Sequence, residues 1–199
     1  MKTLIIAALV GAGATAAAAE AQDFVIDPSH SQAVVSYNHA GFSTTQAMLS
    51  GWEGTISFDA DAPENSAVSA SIPADALYTG WEARDAHFLE SGDFVKLGEN
   101  PLITFVSTGI EVTGDKSAKI TGDLTLNGVT KPVVLDAVLN GTTDAYPFPP
   151  NDGKAAMGFN ATTTVIRSDY GLGLYAPFVG DELAVEISIE AVAADNPGN

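Results

Sequence analysis

The chain has 199 residues, with 8 lysines and arginines against 25 aspartates and glutamates, and its formal net charge is −17 with histidine neutral. This excess of acid disfavours nucleic acids and anionic membrane surfaces as partners, because both are bound mainly through lysine and arginine. Apolar residues make up 46% of the chain and charged residues 17%. That composition is typical of a globular protein with a core, and the length predicts a single domain.

Residues 1–21 have the composition of a secretory signal peptide. Met1 and Lys2 precede an apolar and then alanine-rich stretch, and Ala19 and Ala21 fit the small-residue cleavage pattern. A membrane anchor fits less well, because the apolar stretch is shorter than the roughly 20 residues that a span needs. We therefore expect cleavage after Ala21, export to the periplasm and a mature domain over residues 22–199.

The chain contains no cysteine, so disulfides, thiolate metal sites and cysteine-linked lipid anchors are excluded. The exported domain must then be stabilised by its core alone. The length that remains after the leader is sufficient for that.

After the leader, short stretches alternate apolar and polar residues, which is typical of β-strands with one buried face. Asn127-Gly128 and Thr113-Gly114-Asp115 are typical of tight turns between strands. We predict a lead-in strand at 24–26 and eight further strands. These eight are 32–38, 51–59, 66–73, 102–112, 117–126, 132–140, 155–166 and 182–193.

Two stretches depart from this alternation. Residues 74–98 mix large apolar residues with charged ones and predict one or two short helices. The prolines of Tyr146–Pro150 cannot donate to a strand ladder, so this stretch predicts an exposed loop. The strands themselves could close into a barrel or stack as a sandwich, and the pattern leaves both open.

Segments spread along most of the mature chain carry a family resemblance. They are Asp27–Ser31, Asn38–Ser43, Gly51–Asp59, Arg84–Leu89, Asn100–Phe105, Gly122–Pro132, Arg167–Gly171 and Val179–Leu183. In this order and spacing they resemble the YceI-like family of exported lipid-binding proteins. The resemblance implies an all-β fold: an antiparallel, lipocalin-like barrel of about eight strands with one or two short helices.

The resemblance also implies a function. The elongated apolar interior would hold a polyisoprenoid, an isoprenoid quinone or a comparable fatty lipid, and the protein would be a carrier without cofactor or catalysis. Transient contact with a membrane or a membrane-protein partner fits such a role, as does either a monomer or a homodimer.

An apolar tail needs an inward-facing wall of aliphatic and aromatic side chains. Each of the following residues could belong to that wall or to ordinary core. The candidates are Phe42, Met48, Trp52, Phe58, Trp81, Phe88, Phe94, Phe105 and Phe159.

For the ligand's polar head group the candidates are His39, Arg84 and His87, because imidazole and guanidinium can hold a quinone oxygen or a phosphate. His30 is a weaker candidate, since it follows a turn signal and could simply tie that turn to the barrel. Arg84 could instead pair with Asp85 or Asp169.

Two other classes of function stay open at this stage. One is a small-molecule hydrolase using His39 or His87 as a base, although the chain has no serine-hydrolase elbow, zinc-binding helix or phosphate loop. The other is a structural β module with a solid core, in which the acidic surface provides solubility.

Overall fold

The fold is known from a computed structural model that describes residues 21–90 and 102–194. The predicted signal peptide, apart from Ala21, lies outside these residues, as do the candidate Phe94 and residues 91–98 of the predicted helical stretch.

The described chain contains strand segments, one α-helix and three short 3-10 helices, at Pro63–Asn65, Ala74–Ala76 and Arg167–Tyr170. The strands and the helix are β1 (Gln22–Ile26), β2 (Gln32–His39), β3 (Ser43–Leu49), β4 (Glu53–Phe58), β5 (Ala67–Pro73), β6 (Leu77–Tyr78), α1 (Glu82–Glu90), β7 (Leu102–Gly114), β8 (Ser117–Leu126), β9 (Val129–Thr143), β10 (Ala156–Ile166) and β11 (Glu182–Ala193).

All strand pairs are antiparallel, and the sheet closes because β1 pairs with both β4 and β11. Three strands of the barrel are kinked, and each is divided into two segments. The first consists of β1 and β2, which both pair with β11. The second consists of β3 and β4, which pair with β2 and β1, and the third consists of β5 and β6, which pair with β4 and β3. The result is an eight-stranded up-and-down barrel with one helix, which confirms the predicted all-β barrel.

The kink between β1 and β2 is a turn built on Asp27. The Asp27 carboxylate accepts the Ser29 backbone N–H at 2.9 Å, and His30 Nδ1 lies 3.0 Å from its other oxygen. Proline at position 28 cannot donate to a ladder, which breaks the strand at this point. The alternative reading of His30, as a residue that fixes this turn, agrees with these contacts.

The sequence did not predict β3. Its buried positions are Thr45, Ala47 and Leu49, whereas Met48 is exposed. Because a polar residue faces inward and a large apolar residue faces outward, the alternation of polarity does not follow the alternation of burial.

The three connections predicted from the sequence are confirmed. The turn predicted at Thr113-Gly114-Asp115 joins β7 to β8, and the turn predicted at Asn127-Gly128 joins β8 to β9. The exposed loop Tyr146–Pro150 lies between β9 and β10.

The connections alternate between the two ends of the barrel. At one, the helix end, lie residues 40–42, α1, the turn 127–128 and the long β10–β11 connection. At the other, the rim end, lie residues 59–66, the turn 115–116 and the loop 144–155. None of the helices in the described ranges is long and apolar enough to cross a bilayer.

Two groups of side chains pack at the helix end among the described residues. The α1 side chain Phe88 is buried, with its ring centroid 6.5 Å from that of Tyr37 on β2. In a second, small cluster, Val165 of β10 packs with Tyr170 and Leu172 of the β10–β11 connection. The larger hydrophobic cluster, which includes Phe24 and Trp52, lies inside the barrel.

Candidate functional site

The barrel encloses a cavity of about 260 Å³ whose wall is almost entirely aliphatic and aromatic. The strands build it by alternation: on β11 the side chains of Leu183, Val185, Ile187 and Ile189 line the cavity, while Glu182 and Glu186 are exposed. Because the sheet closes round a cavity, the alternative of a sandwich with a solid core is wrong.

One side of the wall depends on a glycine. A Cβ atom on Gly122 of β8 would lie 2.3 Å from Cζ of Phe105 on β7. Only glycine therefore leaves room for the Phe105 ring to lie across the neighbouring strand as part of the wall.

The cavity reaches exposed residues at one place only among those described. Val112, Gly114, Asp115 and Lys116, at the turn between β7 and β8, line it and are exposed. We call this turn, together with Pro63, the rim. Neither α1 nor the β10–β11 connection contributes to the described lining, and the exposed part of that lining lies at the rim end.

Hydrogen bonds fix the rim to the barrel. The Leu139 backbone N–H donates to the Lys116 carbonyl at 2.8 Å, and the Thr113 hydroxyl donates to Ser117 Oγ at 3.1 Å. Asp115 and Lys116 carry the charged groups of the described lining. Sequence analysis missed both, because a charged pair in a tight turn is ordinarily just solvated surface.

The predicted wall residues fall into two groups. Trp52, Phe58, Phe105 and Phe159 line the cavity. Phe88 is buried outside it, and the exposed candidates on the outer surface are Phe42, Met48 and Trp81. Ligand contact by any of these residues stays a prediction.

The predicted head-group residues all lie at the helix end, away from the rim. Arg84 donates to the Thr79 carbonyl at 2.8 Å and lies 6.0 Å from the Trp81 ring centre. His39 ends β2, where it bridges to Val179, and His87 packs beside Phe88. None of the three lines the cavity, and their contact with a head group stays a prediction.

Arg84 forms neither of the two ion pairs that the sequence suggested, with Asp85 or with Asp169. Asp85 accepts hydrogen bonds from the backbone N–H and the hydroxyl of Thr79, and Asp169 lies 3.0 Å from Lys131. The described residues contain no group of histidines and carboxylates that could hold a metal ion.

A residue that sequence analysis did not single out organises the helix end. Arg167 is buried, and its guanidinium donates to the carbonyls of Leu172, Leu174, Val179 and Gly180. Burial lowers the pKa of Arg167, which the nearby carboxylate of Asp181 partly offsets. All four carbonyls belong to the β10–β11 connection, so Arg167 determines its shape.

Asp181 completes this arrangement. Its carboxylate accepts the Ser168 hydroxyl at 2.6 Å and the Ser168 backbone N–H at 2.9 Å. These hydrogen bonds, with the charge of Arg167, hold the pKa of Asp181 below its usual value.

Fold and cavity together define a β-barrel protein with an internal apolar site. The model of the YceI-like domain matches residues 24–191, and the chain belongs to that family. It is 39% identical over 194 residues to a UPF0312 protein of Pseudomonas savastanoi, covering 96% of this chain and 97% of the relative. A UPF0312 protein of Pseudomonas fluorescens is 36% identical, with the same coverage.

Solved structures share the fold. A Campylobacter jejuni YCEI protein is 26% identical, with a TM-score of 0.69 over 79% of this chain and 90% of that one. A polyisoprenoid binding domain from Saccharophagus degradans, implicated in plant cell wall breakdown, is 10% identical, with a TM-score of 0.64 over 86% and 98%. At that identity the likeness concerns the fold alone.

Proposed function

We propose that the protein is a periplasmic carrier that sequesters a polyisoprenoid, an isoprenoid quinone or a similar long-chain lipid inside the barrel. The observation that carries the proposal is the apolar cavity inside the closed barrel, whose described lining carries charged groups only at the rim. The predicted signal peptide supports the compartment. The Saccharophagus degradans domain, described as polyisoprenoid binding, supports the ligand class.

Binding in this arrangement is sequestration. The apolar tail leaves water for the cavity, a transfer that is favourable in proportion to the apolar area removed from solvent. Trp52, Phe105 and Phe159 contact the tail, and the polar end of the lipid stays at the rim beside Asp115 and Lys116. No step of this process needs a catalytic group.

The first test is native mass spectrometry of the mature protein isolated from a bacterial periplasm, followed by solvent extraction. A long-chain lipid at one molecule per barrel is the expected result. Empty protein that also takes up no ubiquinone and no polyprenol contradicts the proposal.

A pair of variants locates the lipid. Ala161 on β10 lines the cavity, whereas the next residue, Thr162, is exposed on the outer face. Ala161→Phe fills the cavity and should lower lipid affinity by at least about tenfold, since it removes the space for several methylene groups. Thr162→Phe is the matched control and should bind as the wild type does. Thermal melts of both variants separate lost binding from lost folding, because overpacking a core also destabilises it.

A further inference from the structure

Four large apolar side chains face solvent on two adjacent connections at the helix end. Phe42 is 90% exposed and Phe178 is 76% exposed, and no other large apolar residue of the described chain is as exposed as these two. Leu174 and Tyr175 are exposed beside Phe178 on the β10–β11 connection. We call these four residues the apolar tip.

The two connections form one surface. The Ala40 backbone N–H, in the β2–β3 turn, donates to the Phe178 carbonyl at 2.7 Å. The Gly180 backbone N–H donates to the Asn38 carbonyl at 2.8 Å, on the other side of the same contact. Phe42 and Phe178 are therefore presented together.

The apolar tip is also held rigid. The buried guanidinium of Arg167 fixes the carbonyls of Leu174 and Val179, which flank Tyr175 and Phe178 in the chain. Tyr175 has a φ of +61°, which a residue with a side chain seldom adopts unless its surroundings impose it. A surface fixed in advance loses little conformational freedom when it binds.

Charge narrows the choice of partner. Residues 40–49 and 171–180 contain no charged side chain, although the chain as a whole carries −17. A second copy, an acidic protein or an anionic lipid surface would be repelled by the rest of the molecule. A neutral surface would not.

We propose that the apolar tip inserts into the interface of a neutral, zwitterionic lipid bilayer and docks the barrel end-on. Aromatic and leucine side chains on protruding turns are the type that partition into this interface, and a contiguous exposed apolar patch marks an interaction site. The proposal goes beyond the carrier function and does not depend on an occupied cavity.

Docking in this way brings the cavity close to lipid. Tyr170 and Leu172, on the same connection as the tip, pack against Val165 and Leu183, which line the cavity. The residues beneath the tip are therefore in direct contact with the cavity wall, while the rim faces away from the bilayer.

The test is cosedimentation of the mature protein with phosphatidylcholine vesicles. The wild type should pellet with the vesicles, and the double variant Phe42→Ser, Phe178→Ser should lose at least about tenfold in partition coefficient. Both side chains are exposed, so the fold should be unaffected, which circular dichroism checks. Phe148→Ser is the matched control, because Phe148 is 64% exposed on the loop at the opposite end and should leave binding unchanged.

A second arm varies lipid charge. Adding phosphatidylglycerol should weaken binding at low salt, and added salt should restore it, because the repulsion from the acidic surface is screened. Three results would overturn the proposal: wild-type protein that stays in the supernatant, equal losses for Phe148→Ser, or gel filtration in which the tip variant converts a dimer to a monomer.

Extraction of bound lipid from the same variants keeps the two proposals apart. A tip variant that loses vesicle binding but retains its cavity lipid supports both. Vesicle binding by a protein whose cavity takes no lipid would leave the tip proposal standing while the carrier function fails.

Discussion

Arg167 shows how one buried side chain shapes an otherwise irregular segment. The β10–β11 connection has no strand partner for most of its carbonyl groups, and four of them accept hydrogen bonds from a single planar guanidinium. Lysine has one point of charge and cannot present donors in this fixed fork. This position therefore requires an arginine, and a positive charge alone is not sufficient.

Arg167→Lys should lower the free energy of unfolding by about 3 kcal/mol, because buried carbonyls lose charged donors. Urea denaturation measures the change. Lys131→Gln is the control: it removes the nearby exposed pair with Asp169, separated by 3.0 Å, and should cost less than about 1 kcal/mol. Equal effects of the two substitutions would contradict the role given to Arg167.

Asp181 gives a pH dependence of known direction. Its pKa is lowered in the folded protein from the ordinary 3.8, chiefly by the Ser168 hydroxyl, so it stabilises the fold above about pH 3.8. That contribution is lost as the pH falls through the lowered folded pKa. The difference in unfolding free energy between wild type and Asp181→Asn should be constant near neutrality and shrink in acid. Urea titrations from about pH 6 to pH 2.5 measure it, and a difference that is independent of pH would refute this assignment.

At the scale of elements, the contact between β7 and β8 controls the shape of the cavity. A methyl group on Gly122 would meet the Phe105 ring at 2.3 Å and the Val106 carbonyl oxygen at 2.7 Å. Relieving the first contact requires the Phe105 ring to move within the cavity wall, and relieving the second requires the strands to shift.

Gly122→Ala should therefore lower lipid affinity severalfold and also destabilise the protein by about 1–3 kcal/mol, as overpacking does. Isothermal titration with a polyprenol and urea denaturation give the two values. Gly109→Ala, on β7, is the control, because a Cβ atom there meets nothing within 4 Å. Unchanged affinity in the Gly122 variant would show that the ring does not limit the space available to the ligand.

The predicted strand bounds agree with the observed ones where apolar and polar residues alternate regularly along the strand. The bounds predicted for β8 and β11 match those observed, since both strands carry apolar residues on one face and polar residues on the other. β3 was missed because Thr45 faces inward and Met48 outward. Burial there is decided by neighbouring strands, which local polarity does not show.

At the scale of the whole molecule, the alternation did not distinguish a barrel from a sandwich. The barrel closes because β1 pairs with β11, and these strands come from distant parts of the chain. The expectation of a barrel therefore came from the family resemblance. The cavity aromatics Phe105 and Phe159 were predictable as inward positions on strands, and so was Trp52, which the sequence placed on a strand and the structure places just before β4. The rim was not, because only the closed barrel brings Asp115 and Lys116 to the opening of a cavity.

The net charge of −17 also acts on the molecule as a whole. Repulsion among the acidic groups opposes the compact state, and salt screens it, with a Debye length that falls from about 30 Å at 0.01 M to about 10 Å at 0.1 M. The melting temperature should therefore rise as NaCl is added over this range, as differential scanning calorimetry would show. KCl should act in the same way, and a melting temperature insensitive to both salts would contradict the prediction.

Closure of the sheet through Phe24 and Ala193 has a kinetic consequence. The first strand finds one of its two partners only in the last, so the barrel cannot be completed until nearly the whole domain is available. Most hairpins can form early from neighbouring segments, but the closing pair must bring distant residues together and is expected to form late. Until then both outer strands are open edges, and this interval is when the chain is most exposed to mispairing with another copy.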